Sequence, residues 1–208
     1  MNGKFISIEG IEGAGKSTQL SFIRDFLETR GKRVVVSREP GGTELGEQIR
    51  ELLLAPREDG MSEDAELLLM FAARAEHIHQ VIKPALERGD WVLCDRFVDA
   101  TFAYQGGGRG IDRNRIETIS DWTLKGLETD LTLLFDLPVA VGQSRVIKRQ
   151  QEKDRFEQEK AAFFEKIRDC YLQRAEAEPQ RIKCIDASRD IEAIQSQLAG
   201  ILTELLST

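Results

Sequence analysis

The stretch Gly10-Ile11-Glu12-Gly13-Ala14-Gly15-Lys16-Ser17 constrains this chain more than any other. Its spacing is G-x-x-x-x-G-K-[ST]; the alternating run Lys4-Phe5-Ile6-Ser7-Ile8 precedes it and a helical pattern follows from Thr18. Strand, glycine loop and helix in that order direct backbone N–H groups and the positive end of a helix onto one anion. Glycines let the loop turn those groups inward without Cβ collisions. Lys16 adds a mobile charge and Ser17 a hydroxyl ligand for Mg²⁺. The plain alternative is a glycine turn before a helix, and the flanking pattern argues against it. The loop predicts a nucleoside triphosphate site, with Gly10, Gly13, Ala14, Gly15, Lys16, Ser17 and Thr18 around the phosphates.

The rest of the chain supplies a matching frame. Short β-branched runs at 5–9, 33–37, 91–94, 131–137 and 181–185 alternate with amphipathic segments at 16–30, 43–54, 63–88, 113–127, 140–149, 158–178 and 191–206. Strands separated by helices predict an α/β fold of three layers, a five-stranded parallel sheet flanked by helices, with ligands at the carboxyl ends of the strands. At 208 residues the chain suits one domain, 1–208. The stretch Arg145 to Arg155, within a segment of about 145–157, breaks the regularity, being rich in charge with no apolar anchor after Ile147. It reads either as a solvated face or as a short mobile lid.

Charge and cysteine usage narrow the class. A formal net charge of −7 argues against nucleic acid as the main partner, so anionic substrates must be met by local arginines. The three cysteines, Cys94, Cys170 and Cys184, form no CxxC and no Cys/His cluster, which argues against a disulfide framework or a zinc site. His77 and His79 share one helix and show no partner in the sequence, so they read as solvated or packed. No signal peptide or membrane span is visible, and the expected location is cytoplasmic.

No N-K-x-D motif for reading guanine occurs. The third strand ends in Asp95-Arg96, which brings a carboxylate and a guanidinium to the edge where the loop opens. Asp95 suits the shell of a Mg²⁺ ion or an acceptor's proton, and Arg96 suits phosphate oxygens. A structural ion pair is the other reading. The order of loop, Asp-Arg and an arginine-rich segment favours a nucleotide kinase over a motor or switch.

At this point the chain resembles the thymidylate kinases from end to end. The resemblance rests on Ile8 to Thr18, Arg38-Glu39-Pro40-Gly41-Gly42-Thr43, Phe71-Ala72-Ala73-Arg74, Asp95-Arg96-Phe97, Ala103-Tyr104-Gln105-Gly106, Asp154-Arg155-Phe156-Glu157 and Asp186-Ala187-Ser188. It implies transfer of phosphate from ATP, with Mg²⁺, to dTMP. It further implies that Phe71 stacks on the thymine and Arg74 meets a base carbonyl, though Leu67, Leu68 and Met70 around Phe71 would equally suit a core residue. Arg38 and Arg96 are implied as clamps on the acceptor phosphate, with a surface ion pair the alternative for Arg38. Tyr104 would crowd the sugar C2′, Gln105 position the base, and Glu12 meet the 3′-hydroxyl. Asp186 and Ala187 would border the adenine, beside the simpler reading of a turn and helix cap. The family tends toward a cis bond at Glu39–Pro40, whereas X–Pro bonds in general favour trans.

Two departures matter. Relatives often carry a hydroxyl or amide at the position of Ala100, which moves the base-edge role to Thr101. Some members also place an arginine in the phosphate loop, where this chain has Gly13 after Glu12. The transition-state charge is then expected from the lid, first from Arg149, next from Arg155, with Lys148 beside them. The resemblance also implies a homodimer through helices beside the sheet, with 63–88 as a contributor if its apolar face is not core.

Overall fold

In the computed structural model, residues 3–148 and 154–207 are described. The β-branched runs pair as β1 (Phe5–Glu9), β2 (Val34–Arg38), β3 (Trp91–Asp95), β4 (Leu131–Asp136) and β5 (Ile182–Asp186). All neighbours are parallel, in the order β2-β3-β1-β4-β5. Every residue of β1 is buried, as expected for a central strand covered on both faces. The chain leaves β1 to build one side of the sheet and returns to build the other with β4 and β5. The carboxyl edge of β1 is therefore a topological switch point, where such sheets bind ligands.

The covering helices are α1 (Lys16–Glu28), α2 (Glu44–Leu54), α3 (Glu63–His77), α4 (Lys83–Glu87), α5 (Val98–Thr101), α6 (Arg113–Leu124), α7 (Val139–Lys148), α8 (Ala161–Ala177) and α9 (Ile191–Leu206). Capping marks several starts: Thr43 accepts from Gly46 N, Ser62 from Ala65 N and Asp190 from Ala193 N. The Asp190 cap places the start of α9 just after the turn Asp186-Ala187-Ser188.

Two elements differ from the sequence pattern. The segment 63–88 is not one helix, because a π-helical turn at Ile78–Ile82 separates α3 from α4. Pro84 lacks an N–H and its ring crowds the carbonyl four residues back, so the helical ladder shifts there. The second is an element that local pattern did not predict: α5 runs into a π-helical turn at Phe102–Gly108 that carries Tyr104 and Gln105. Glycines are needed in it for close approach. A Cβ on Gly107 would stand 2.7 Å from Cys170 Cβ, and one on Gly108 would stand 2.5 Å from the Phe163 ring, both on α8.

The main core packs β1, β4 and β5 against α1, α8 and α9, and a second cluster fills the space between β3, α3 and α6. A buried charge cluster ties the layers together. Asp99 is 1% exposed and accepts from Arg174 Nε at 2.7 Å and Arg181 Nη1 at 2.7 Å. Burial opposes its ionisation, yet the two arginines outweigh that and hold its carboxyl below the usual range. Asp99→Ala leaves Arg174 and Arg181 with only the more exposed Glu178 as counter-ion, and we expect a loss of about 3 kcal/mol. Urea denaturation of both proteins measures it, and an unchanged midpoint would show that the cluster contributes nothing.

Candidate active site

The glycine loop leaves β1 at Gly10 and enters α1 at Lys16. Lys16 is buried, and its Nζ donates to Gly10 O at 2.8 Å and Ile11 O at 3.0 Å, so its charge lies across the loop's mouth. Burial lowers its pKa to about 8, with the nearby Arg96 acting in the same direction. Arg145 closes the loop from the other side, donating to Gly13 O and Ala187 O at 3.2 Å each. That contact brings the β5–α9 turn, with Asp186 and Ala187, to the loop. Asp186 accepts from Ser188 N at 3.0 Å, so its carboxylate serves the turn.

Beside the loop opens a cleft of about 570 Å³. Glu12, Arg96, Arg74, Thr101, Tyr104 and Gln105, all singled out by sequence, stand in its walls, joined by Ala100 and Asp154. Arg96 follows β3 in a left-handed conformation with φ 68°, strained for a residue with a side chain. Its Nη2 donates to Glu12 Oε1 at 2.7 Å and Tyr104 Oη at 2.9 Å, and Tyr104 Oη donates to Glu12. Two buried polar atoms here have no hydrogen-bond partner: Arg96 Nε and Asp95 Oδ1. An unpaired donor and an unpaired carboxylate oxygen at one strand end suit an anion and a cation respectively.

Other expected residues stand elsewhere. Phe71 is 3% exposed and lies in the core cluster with Leu67 and Ile78, not in the cleft wall. Met70 takes the place in the wall, and Phe71 instead supports the Arg74 guanidinium from 4.9 Å. Arg38 is exposed and paired with Glu47 at 2.8 Å. Arg50, which no sequence motif marks, lines the cleft and donates to Pro40 O at 2.9 Å. The signal for it was an arginine within the apolar stripe Gly46, Ile49, Leu53 of α2.

Arg155 does not face the loop. Its Nη1 meets Glu66 Oε2 at 2.6 Å and its Nε donates to Leu53 O at 2.8 Å. Glu66 is 1% exposed and also accepts from Gln105 Nε2 at 2.8 Å. Arg155 therefore anchors the end of the segment 145–157 to α2, α3 and the wall of the cleft. Arg149 lies outside the described residues. His77 has the partners that the sequence did not reveal, Ser37 and Glu39, and is buried, while His79 is exposed. The Glu39–Pro40 bond is cis.

Glu9, the last residue of β1, is fully buried and accepts from Phe97 N and Tyr171 Oη at 2.7 Å each. Burial, then the charge of Asp99, raise its carboxyl to about 8. The folded state therefore holds a proton that the unfolded chain releases above about 4.5. The stability that this proton contributes falls as pH rises through that window toward 8, by up to about 1.4 kcal/mol per pH unit. Relative to Glu9→Gln, wild-type stability should decline across that range in pH-stepped denaturation; a constant difference would place the Glu9 pKa in the ordinary range. The two neighbours on α3 should also separate. Phe71→Ala should cost about 3–5 kcal/mol of stability, while Met70→Ala acts mainly on ligand affinity. Denaturation and binding titrations of both variants test the division, and the reverse pattern would return Phe71 to the site.

Comparison with known proteins agrees with this geometry. The thymidylate kinase family model matches residues 8–198. A thymidylate kinase of Alcanivorax borkumensis is 55% identical over 205 residues, covering 99% of this chain and 98% of its own. One from Chromohalobacter salexigens is 56% identical over 207 residues, with the same coverage. Among solved structures, thymidylate kinase from Ehrlichia chaffeensis superposes with a TM-score of 0.78 at 32% identity, covering 97% of this chain and 99% of that one. With an intact phosphate loop and an arginine-walled cleft beside it, the chain belongs to the thymidylate kinase family.

Proposed function

We propose that this enzyme transfers the γ-phosphoryl group of ATP to a phosphate oxygen of dTMP, giving dTDP and ADP. The observation that carries the reading is the shared wall between loop and cleft. Arg96 and Glu12 stand in the cleft, Lys16 spans the loop, and the buried Arg96 Nε still lacks a partner. An acceptor phosphate on Arg96 lies beside a donor phosphate on the loop, which is the alignment that phosphoryl transfer needs.

Each part of the acceptor has a matching surface. Arg96 and Arg50 hold the phosphate. Met70 and Ala100 offer apolar contact to the base, and Arg74, Thr101 and Gln105 meet its polar edge. Tyr104 and Glu12 border the sugar. Lys16 and the loop N–H groups hold the ATP phosphates, with the turn at Asp186 and Ala187 toward the adenine. Mg²⁺ fits here through the Ser17 hydroxyl and the unpaired Asp95 Oδ1. Among the described residues no three carboxylates, cysteines or histidines could hold a metal ion, so the phosphates would supply other ligands. When bound, the ion would neutralise phosphate charge.

Arg149 is the lid residue to which we assign the transition-state charge. Two other arginines of the segment 145–157 are engaged, Arg145 with the loop and Arg155 with Glu66. A homodimer through α3 and α6 belongs to the same reading. Leu68 and Trp122 are 58% and 76% exposed there, one and two turns from Asp64 and Arg115, which pair at 2.8 Å. Among the described residues no helix is long and apolar enough to cross a membrane, and a cytoplasmic location goes with nucleotide substrates.

The test is ADP release with Mg-ATP against dTMP, dUMP, dCMP, AMP, GMP and thymidine. We expect dTMP to be preferred. Arg50→Ala should raise KM for dTMP about tenfold or more with KM for ATP unchanged. Arg149→Ala should lower kcat roughly 100-fold. Preference for another acceptor would overturn the substrate, and absence of turnover with every acceptor would overturn the enzyme.

A further inference from the structure

The groups that hold Arg74 form a chain reaching well behind the cleft. His77, at the end of α3, is 0% exposed and hydrogen-bonded at both ring nitrogens. Nε2 meets Ser37 Oγ at 2.6 Å and Nδ1 meets Glu39 Oε1 at 2.9 Å. Glu39 is 4% exposed, and its other oxygen accepts from Arg74 Nε at 2.7 Å. An ionised carboxylate only accepts, so Nδ1 carries the proton that orients it. The turn after Pro40 is shaped around this chain. A Cβ on Gly42 would stand 2.5 Å from Ser37 Oγ and 2.8 Å from His77 Nε2.

Serine, histidine and glutamate in series resemble a nucleophile with its base and orienting acid. The placement argues otherwise. Ser37 and His77 do not stand in the cleft wall, whereas Glu39 and Arg74 do. The series ends on a guanidinium instead of on a cavity, so it fixes a direction instead of activating a nucleophile.

What it fixes is the edge that Arg74 shows to a ligand. Nε is taken by Glu39, Nη1 donates to Thr101 Oγ1 at 3.0 Å and Nη2 to Phe97 O at 3.0 Å. Of the five guanidinium hydrogens, one on each terminal nitrogen is left for a group in the cleft. Those hydrogens can meet a carbonyl but not an amino group. A guanidinium free to swing out of place would neither hold a carbonyl at that position nor exclude an amino group from it.

We infer that His77 is a positioning residue for acceptor recognition: through Glu39, and backed by Ser37, it holds Arg74 so that the cleft selects a base carbonyl over an amino group. The inference rests on the reading that Arg74 meets the base. Thymine and uracil present a carbonyl where cytosine carries an amino group, so the dTMP-to-dCMP ratio of kcat/KM reports the effect directly.

The experiment measures kcat and KM for dTMP, dUMP, dCMP and Mg-ATP in wild type, His77→Leu, His77→Asn, His77→Gln and Arg74→Lys. His77→Leu removes the donor to Glu39. It should lower the dTMP-to-dCMP ratio about tenfold through KM, leaving the dTMP-to-dUMP ratio and KM for ATP unchanged. Asn can place its amide nitrogen near the Nδ1 position and should keep the ratio within about threefold of wild type. Gln reaches toward Nε2 and should not. If His77→Leu fails to fold, the Asn and Gln variants decide, because equal ratios for the two would overturn the inference. A ratio unchanged in His77→Leu would overturn it as well, as would a uniform fall of kcat with every acceptor. Arg74→Lys separates the two levels. If it leaves the ratio intact, base reading by Arg74 fails; if it alone changes the ratio, only the role of His77 fails.

Discussion

Arg96 sits in a backbone conformation that costs a side-chain-bearing residue of order 1 kcal/mol or more, and much of the surrounding architecture serves to keep it there. Its N–H donates to Ile8 O at 2.9 Å, which fastens the end of β3 to the strand that feeds the phosphate loop. The next N–H, of Phe97, is held by Glu9, and the Phe97 carbonyl by Arg74. The strained turn thus draws on β1, β3 and α3 at once. Because the guanidinium leaves it toward Glu12 and Tyr104, its direction is set by the sheet and not by the side chain's own rotamer preferences. A guanidinium on a rigid strand end is held more accurately than one on a loop.

The electrostatics follow the same economy of placement. A chain of net charge −7 has no global attraction for nucleotides, yet Arg50, Arg74 and Arg96 converge on one cleft, and Lys16 lies across the loop beside it. Acids balance the arginines of this region: buried Glu39 beside Arg74, partly buried Glu12 beside Arg96, and buried Glu66 beside Arg155. Each such pair gives back through hydrogen bonds part of what desolvation costs. The arrangement keeps cations fixed in a dry wall, where their field on a phosphate is stronger than at an exposed surface.

The sheet and loop were legible in the sequence because buried parallel strands read as short apolar runs. The run 5–9 coincides with β1, and the other strands shift by a residue or so. The residues around Phe102–Gly108 were not legible as structure. Three successive glycines look like a loop, and only the approach of α8 to Gly107 and Gly108, and of Ile116 on α6 to Gly106, explains them. The choice between Met70 and Phe71 was equally hidden, since both lie within one turn of Arg74 and a rotation of 100° separates wall from core. That Arg50 lines the cleft while Arg38 pairs with Glu47 was hidden for a similar reason, because a strand-end arginine and one on α2 look alike without the third dimension. His77 seemed partnerless because Ser37 and Glu39 lie 40 and 38 residues away in the chain.

The bond between Glu12 and Arg96 sets an entry threshold. This carboxylate occupies the guanidinium's Nη2 at 2.7 Å, and the Tyr104 hydroxyl proton is shared between its two oxygens. A small anion that offers only charge must compete with a resident anion of the same sign, and gains little by replacing it. A nucleotide brings a base for the apolar wall and a sugar for Tyr104, so its affinity for Arg96 is added to contacts that inorganic phosphate lacks. On the proposed assignment of Arg96 to the acceptor phosphate, the cleft discriminates against abundant simple anions by keeping its own counter-ion in place, before any part of the base is read.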